Sequence, residues 1–128
     1  MRVLLDSHTL IWAADDPGRL SPAALAAVQD PANDRMVSAG TLWEIAIKVG
    51  KGRLPLSLPY RAWMEQAIAD LKLDVLPITV AYAERLAVLP THHADPFDRL
   101  LVAQALVEGI PVVGTDAAFD PYGVTRIW

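Results

Sequence analysis

Arg2-Val3-Leu4-Leu5-Asp6-Ser7-His8-Thr9-Leu10-Ile11-Trp12 is the stretch on which the fold turns. Residues 2–6 read as a short buried strand that ends on an acid. Ser7 to Ala14 is apolar on nearly every face and is expected to be helical. The same alternation returns along the chain. Ser21-Pro22 reads as an N-cap followed by proline at the first helical position, starting a helix over Ala23 to Gln29. Met36-Val37-Ser38 is a second strand, with a helix behind it to about Val49, broken at Gly50 to Pro55. Tyr60, Trp63, Met64, Ala67, Ile68 and Leu71 form one apolar helical stripe. A strand over Asp74 to Pro77, a helix over Val80 to Ala87 and a loop from Pro90 to Ala94 follow. Asp95-Pro96 opens a long helix that Gly109 closes. Pro111 to Gly114 is a strand, and Val124 to Ile127 a last edge strand.

Short apolar strands alternating with helices imply βαβ units and a parallel sheet covered on both faces. Ligands bind such sheets beyond the carboxyl ends of the strands. Asp6 and Asp116 both follow strands on that side, which is a geometric reason to pair them.

The composition narrows the class. At 128 residues a single domain over residues 1–128 is the default. The chain is 53% hydrophobic and has no cysteine, which removes disulfides, thiolate metal sites and a Cys nucleophile. The first residues carry charge too early for a signal peptide. No apolar run approaches the roughly 20 residues of a membrane helix. A cytoplasmic location is expected. The net charge of −4 argues against a general nucleic-acid coat. It does not argue against a nuclease, whose metal ions bring positive charge to the site.

Four acids stand at element ends: Asp6, Glu44, Asp98 and Asp116. Each has an ordinary reading. Asp6 caps the helix beginning at Ser7. Thr41-Leu42-Trp43-Glu44 has capping-box spacing, with Glu44 reaching back to a backbone N–H. Asp95-Pro96-Phe97-Asp98 has the same form, with Asp95 as N-cap and Asp98 in the first turn. Asp116 closes a turn. Taken together they suggest one negative pocket fit for a hard cation such as Mg²⁺, because carboxylates held close together repel unless a cation neutralises them.

The segments Leu5 to Trp12, Ser38 to Lys48, Asp95 to Ala105 and Val113 to Asp116, in this order, resemble a PIN-domain ribonuclease of the VapC toxin type. That resemblance implies a three-layer α/β/α sandwich around a mainly parallel sheet. It also implies Mg²⁺-dependent cleavage of single-stranded or structured RNA, with Mn²⁺ able to substitute. Attack would be by a cation-activated water, leaving a 5′-phosphate and a 3′-hydroxyl. Asp6, Glu44, Asp98 and Asp116 match the family's acidic quartet, and Ser7 and Thr115 its hydroxyl positions. His8 stands where many members carry Asn.

From the chemistry, Asp6 and Asp98 are the direct metal ligands, and Asp116 completes a second shell. Glu44 binds metal or helps deprotonate the water. Asp95 is a helix cap or a further ligand. Lys48, Lys51 and Arg53 either grip RNA phosphates or solvate a helix end. Arg99 faces a phosphate or another acid. His92-His93 read as a solvated loop. Kinship further implies a homodimer and a cognate VapB-like antitoxin that inserts a basic side chain into the pocket, with Trp12, Trp43 and Trp63 as partner-facing surface. Two rivals remain. A haloacid-dehalogenase-like phosphatase would use Asp6 as nucleophile but wants a second Asp where His8 stands. A non-catalytic binding module on a PIN scaffold would be free to lose acids, yet all four are present.

Overall fold

The computed structural model describes residues 1–128. Its strands are β1 (Arg2–Leu5), β2 (Asp34–Ser38), β3 (Asp74–Leu76), β4 (Val112–Val113) and β5 (Arg126–Ile127). Its helices are α1 (Ser7–Asp15), α2 (Pro22–Gln29), α3 (Ala39–Gly50), α4 (Tyr60–Asp70), α5 (Val80–Ala87) and α6 (Pro96–Glu108). Short 3-10 segments cover Pro17–Arg19 and Ala117–Tyr122. No helix is long and apolar enough to cross a membrane.

The strands form one sheet in the order β3-β2-β1-β4-β5, and every pairing is parallel. Successive residues of a strand point to opposite faces. Val3, Leu5, Val37 and Val113 enter a core with Leu10, Ala24, Ile45 and Met64 from α1 to α4. Leu4, Met36 and Val112 face the other way, onto Leu101, Val102 and Ala105 of α6 and onto Phe119. These are the three layers expected from sequence. Because β1 is covered on both faces, it reads as a continuous apolar run rather than an alternating one.

Local signals set most of the helix ends. Ser21 Oγ accepts from Ala24 N at 3.1 Å, and Pro22 begins α2. Gly109 ends α6 in the left-handed region with φ 65°, a conformation open to glycine without the Cβ clash. The Tyr60–Leu71 stripe is core, with Trp63, Met64 and Ala67 buried.

Two expectations fail. The Thr41–Glu44 capping box does not form. Ser38, the last residue of β2, caps α3 through Gly40 N, so Thr41 and Glu44 lie inside the helix. Trp63 is not a partner-facing residue: it is 2% exposed, and its Nε1 donates to Asp15 Oδ1 at 2.9 Å. Trp43 is 63% exposed.

Candidate metal and nucleic-acid site

In this strand order the chain leaves β1 toward β2, and later returns to β1's other side as β4. Crevices at such reversals are where parallel sheets bind ligands. Asp6 follows β1 directly and caps α1, its Oδ1 accepting from Thr9 N at 2.8 Å. Its backbone N–H donates to Val113 O at 3.1 Å. Thr9 Oγ1 donates to the same carbonyl at 2.8 Å, which locks the start of α1 to β4. Gly114 closes the other side of the carboxyl, leaving no room for a Cβ. Capping and site chemistry are therefore compatible, since the cap uses one carboxyl oxygen. Asp6 is 4% exposed, and burial raises its pKa against the opposing Thr9 hydrogen bonds.

Glu44 projects from the second turn of α3 and is also 4% exposed. Lys48 Nζ donates to its Oε2 at 2.8 Å. Asp98 sits in the first turn of α6. Asp95 Oδ1 caps that helix through Phe97 N and Asp98 N at 2.8 and 3.0 Å. Burial pushes Asp98 up to about 6, opposed by a hydrogen bond from His93 and reinforced by repulsion from Asp95 and Glu44. Glu44 repels Asp6 as well. Glu44 thus acts on both aspartates. Asp116 is more open, at 51% side-chain exposure, and caps the 3-10 turn through Ala118 N at 2.9 Å.

Ser7 is buried in the first turn of α1, and Thr115 is exposed beside Asp116. Lys48, Lys51 and Arg53 line a groove of about 420 Å³ together with Glu44, Asp95 and Phe97. The basic cluster therefore adjoins the acids. Exposed His8 lines the same groove.

Two residues differ from expectation. Arg99 faces neither phosphate nor acid. Its Nη1 donates to Pro90 O and its Nη2 to Leu86 O and Leu89 O, closing the end of α5. Successive helical residues point about 100° apart, so Arg99 leaves the pocket that Asp98 enters. His93 is not a solvated loop residue. Its Nε2 lies 2.8 Å from Asp98 Oδ2 and 4.0 Å from Asp116 Oδ2. The neighbouring ring of His92 packs edge-on against Tyr122 at 5.1 Å instead. Sequence reasoning missed His93. The available signal was its place two residues before the Asp95 cap, which brings the loop to the head of α6.

The donor set suits a hard divalent cation. Asp98 and Asp116 bring oxygens near one point, Glu44 acts on both Asp6 and Asp98, burial penalises the charge of those two aspartates, and Lys48 is the one Lys or Arg in ion-pair contact with the quartet.

A family profile described as PIN domain matches residues 3–123. Ribonuclease VapC22 of Mycobacterium tuberculosis is 34% identical over 115 residues, spanning 89% of this chain and 86% of that one. The solved structure of Rickettsia felis VapBC2 bound to a DNA fragment from its promoter superposes with a TM-score of 0.71 at 16% identity, covering 98% of this chain and 97% of that chain. A toxin-antitoxin complex from Klebsiella pneumoniae gives 0.59 at 18% identity, covering 89% and 86%.

Proposed function

The chain belongs to the PIN-domain family, and from that membership we propose that it is a divalent-cation-dependent endoribonuclease toxin neutralised by a VapB-like antitoxin. Residues 1–128 form the one nuclease domain, working in the cytoplasm on single-stranded RNA. The observation that carries the reading is the electrostatic frustration of the pocket. Asp6 is buried and Asp98 partly so, both feel Glu44, and both are held above the ordinary carboxylate range. A bound cation relieves that frustration.

Asp6, Glu44, Asp98 and Asp116 would hold Mg²⁺ or Mn²⁺. When bound, such an ion supplies a lowered water pKa and neutralises charge gathering on the scissile phosphate. The protein's own contribution is placement. Thr9 and Gly114 fix Asp6, and Asp95 fixes the head of α6 and so Asp98. Lys48 occupies Glu44 Oε2 and leaves Oε1 for a second partner. Lys51 and Arg53 lie exposed on the groove and receive the flanking phosphates. For the antitoxin, support comes from an apolar groove of about 320 Å³ whose lining includes Trp43, Ile78, Leu86 and Phe97.

The test is cleavage of a labelled single-stranded RNA panel by purified protein with Mn²⁺ or Mg²⁺. Chelator is expected to stop cleavage and excess cation to restore it; cutting that ignores chelator would refute the reading. The double variant Lys51→Gln/Arg53→Gln is expected to raise KM about tenfold with kcat nearly unchanged. It should also flatten the salt dependence of binding by about 0.7 logarithmic units per lost phosphate contact. An unchanged salt slope would return both residues to the role of a solvated helix end.

A further inference from the structure

His93 stands outside the acidic quartet but reaches into it. One ligand atom each from His93, Asp98 and Asp116 lie within 4.8 Å of one another. The imidazole is held there by a separate construction. Tyr122, buried beneath the loop, accepts at its hydroxyl from His92 N at 3.1 Å and His93 N at 2.8 Å. Arg99 Nη1 reaches the same hydroxyl at 3.3 Å while binding Pro90 O at 3.0 Å. A charged side chain and a buried phenol thus fix the backbone leading into His93 and at its own N–H. An isolated His–Asp pair would need one carboxylate. Here the ring nitrogen faces two, from different elements, and neither has a Lys or Arg in ion-pair contact.

We propose that His93 is a nitrogen ligand to a cation it shares with Asp98 and Asp116, and that it biases the site toward Mn²⁺ and later first-row ions over Mg²⁺. Mg²⁺ takes oxygen donors and keeps much of its water. Imidazole suits transition ions, whose affinities for nitrogen sites exceed that of Mg²⁺. Replacing one oxygen donor by imidazole therefore separates the two cations. Tyr122 and Arg99 are positioning residues for that ligand, as outer-shell partners are in other metal sites. The inference rests on the metal-dependent reading of this pocket.

The experiment needs no RNA. Wild-type, His93→Gln and Asp98→Asn proteins are titrated with MnCl₂ and with MgCl₂ by calorimetry, and pulsed electron paramagnetic resonance is recorded on bound Mn²⁺. Wild type is expected to show nitrogen hyperfine coupling to Mn²⁺. His93→Gln should lose that coupling and about tenfold or more in Mn²⁺ affinity, with Mg²⁺ affinity changed by less than about threefold. Mn²⁺ held by wild type without nitrogen coupling overturns the proposal, as does equal weakening of both ions in the variant. If binding without coupling still requires Asp98, only the role of His93 falls. If no cation binds any of the three proteins, the metal-dependent reading falls with it. The wild-type spectrum decides the matter even where the variant folds poorly.

Discussion

Asp98→Asn is expected to lower RNA cleavage by about 10³-fold, the factor corresponding to roughly 4 kcal/mol of lost stabilisation. The same change should make the cation-free protein more stable at pH 7. Asp98 is pushed up to about 6 from an ordinary 3.8, by burial first and then by the Asp95 and Glu44 charges. A carboxyl whose folded pKa is raised binds more protons folded than unfolded across that interval. Stability of the cation-free protein therefore falls as pH rises from about 4 to about 6, and the full penalty persists above it. Asparagine carries no charge and escapes the penalty, worth up to about 3 kcal/mol. Single-turnover cleavage and thermal unfolding in chelator check both halves. At pH 7 the variant should unfold later than wild type, and the gap should close near pH 4. Added Mn²⁺ should stabilise wild type more than the variant. A variant that unfolds earlier at pH 7, or cuts RNA at the wild-type rate, would remove Asp98 from the site.

The second large effect belongs to a residue with no side-chain chemistry. A Cβ at Gly114 would stand 2.9 Å from Asp6 Cγ and nearer still to Oδ2. Asp6 has little freedom to yield, because Thr9 N holds its Oδ1 and Val113 O holds its backbone N–H. Gly114→Ala should therefore destabilise the fold by about 1–3 kcal/mol, as overpacking does. It should also lower cleavage about 10²-fold by displacing the carboxylate. Gly50→Ala is the matched control, since an added Cβ there meets nothing within 4 Å. Denaturant unfolding and cleavage of the two variants separate the cases. Equal behaviour would mean that Asp6 is not gripped as the structure describes.

Much of this architecture could be read before any coordinates, because its signals are local. Ser21-Pro22, Asp95-Pro96 and Gly109 each punctuate a helix with chemistry confined to a few neighbouring residues. Apolar runs at Val3-Leu4-Leu5 and Val112-Val113 mark strands buried on both faces. What could not be read depends on distant partners. Ser38 and Thr41 compete to cap α3, and the contest is decided by strand pairing that carries β2 through Ser38, opposite Leu76. His93 owes its direction to Tyr122, a residue 29 positions further on. Trp63 and Trp43 are the same residue type in neighbouring helices, and only the tertiary packing makes one core and the other surface. The acids fall between these cases. Their positions after strands and at helix heads were legible, and the shared influence of Glu44 on Asp6 and Asp98 was not.

The central strand has a consequence in time. β1 is made before the other four strands, but one of its two neighbours, β4, is residues 112 and 113. Until those residues exist, Asp6 lacks the carbonyl that fixes its backbone and the glycine that closes its flank. Domains emerging from the ribosome meet their segments in order, at about 5–20 residues per second. A nascent chain that has passed Glu44 and even Asp98 still has no completed pocket around Asp6. For a protein read as a destroyer of RNA, synthesised on an RNA template by a machine largely made of RNA, the order is protective. The harmful constellation cannot close until residues 112–114 have been made.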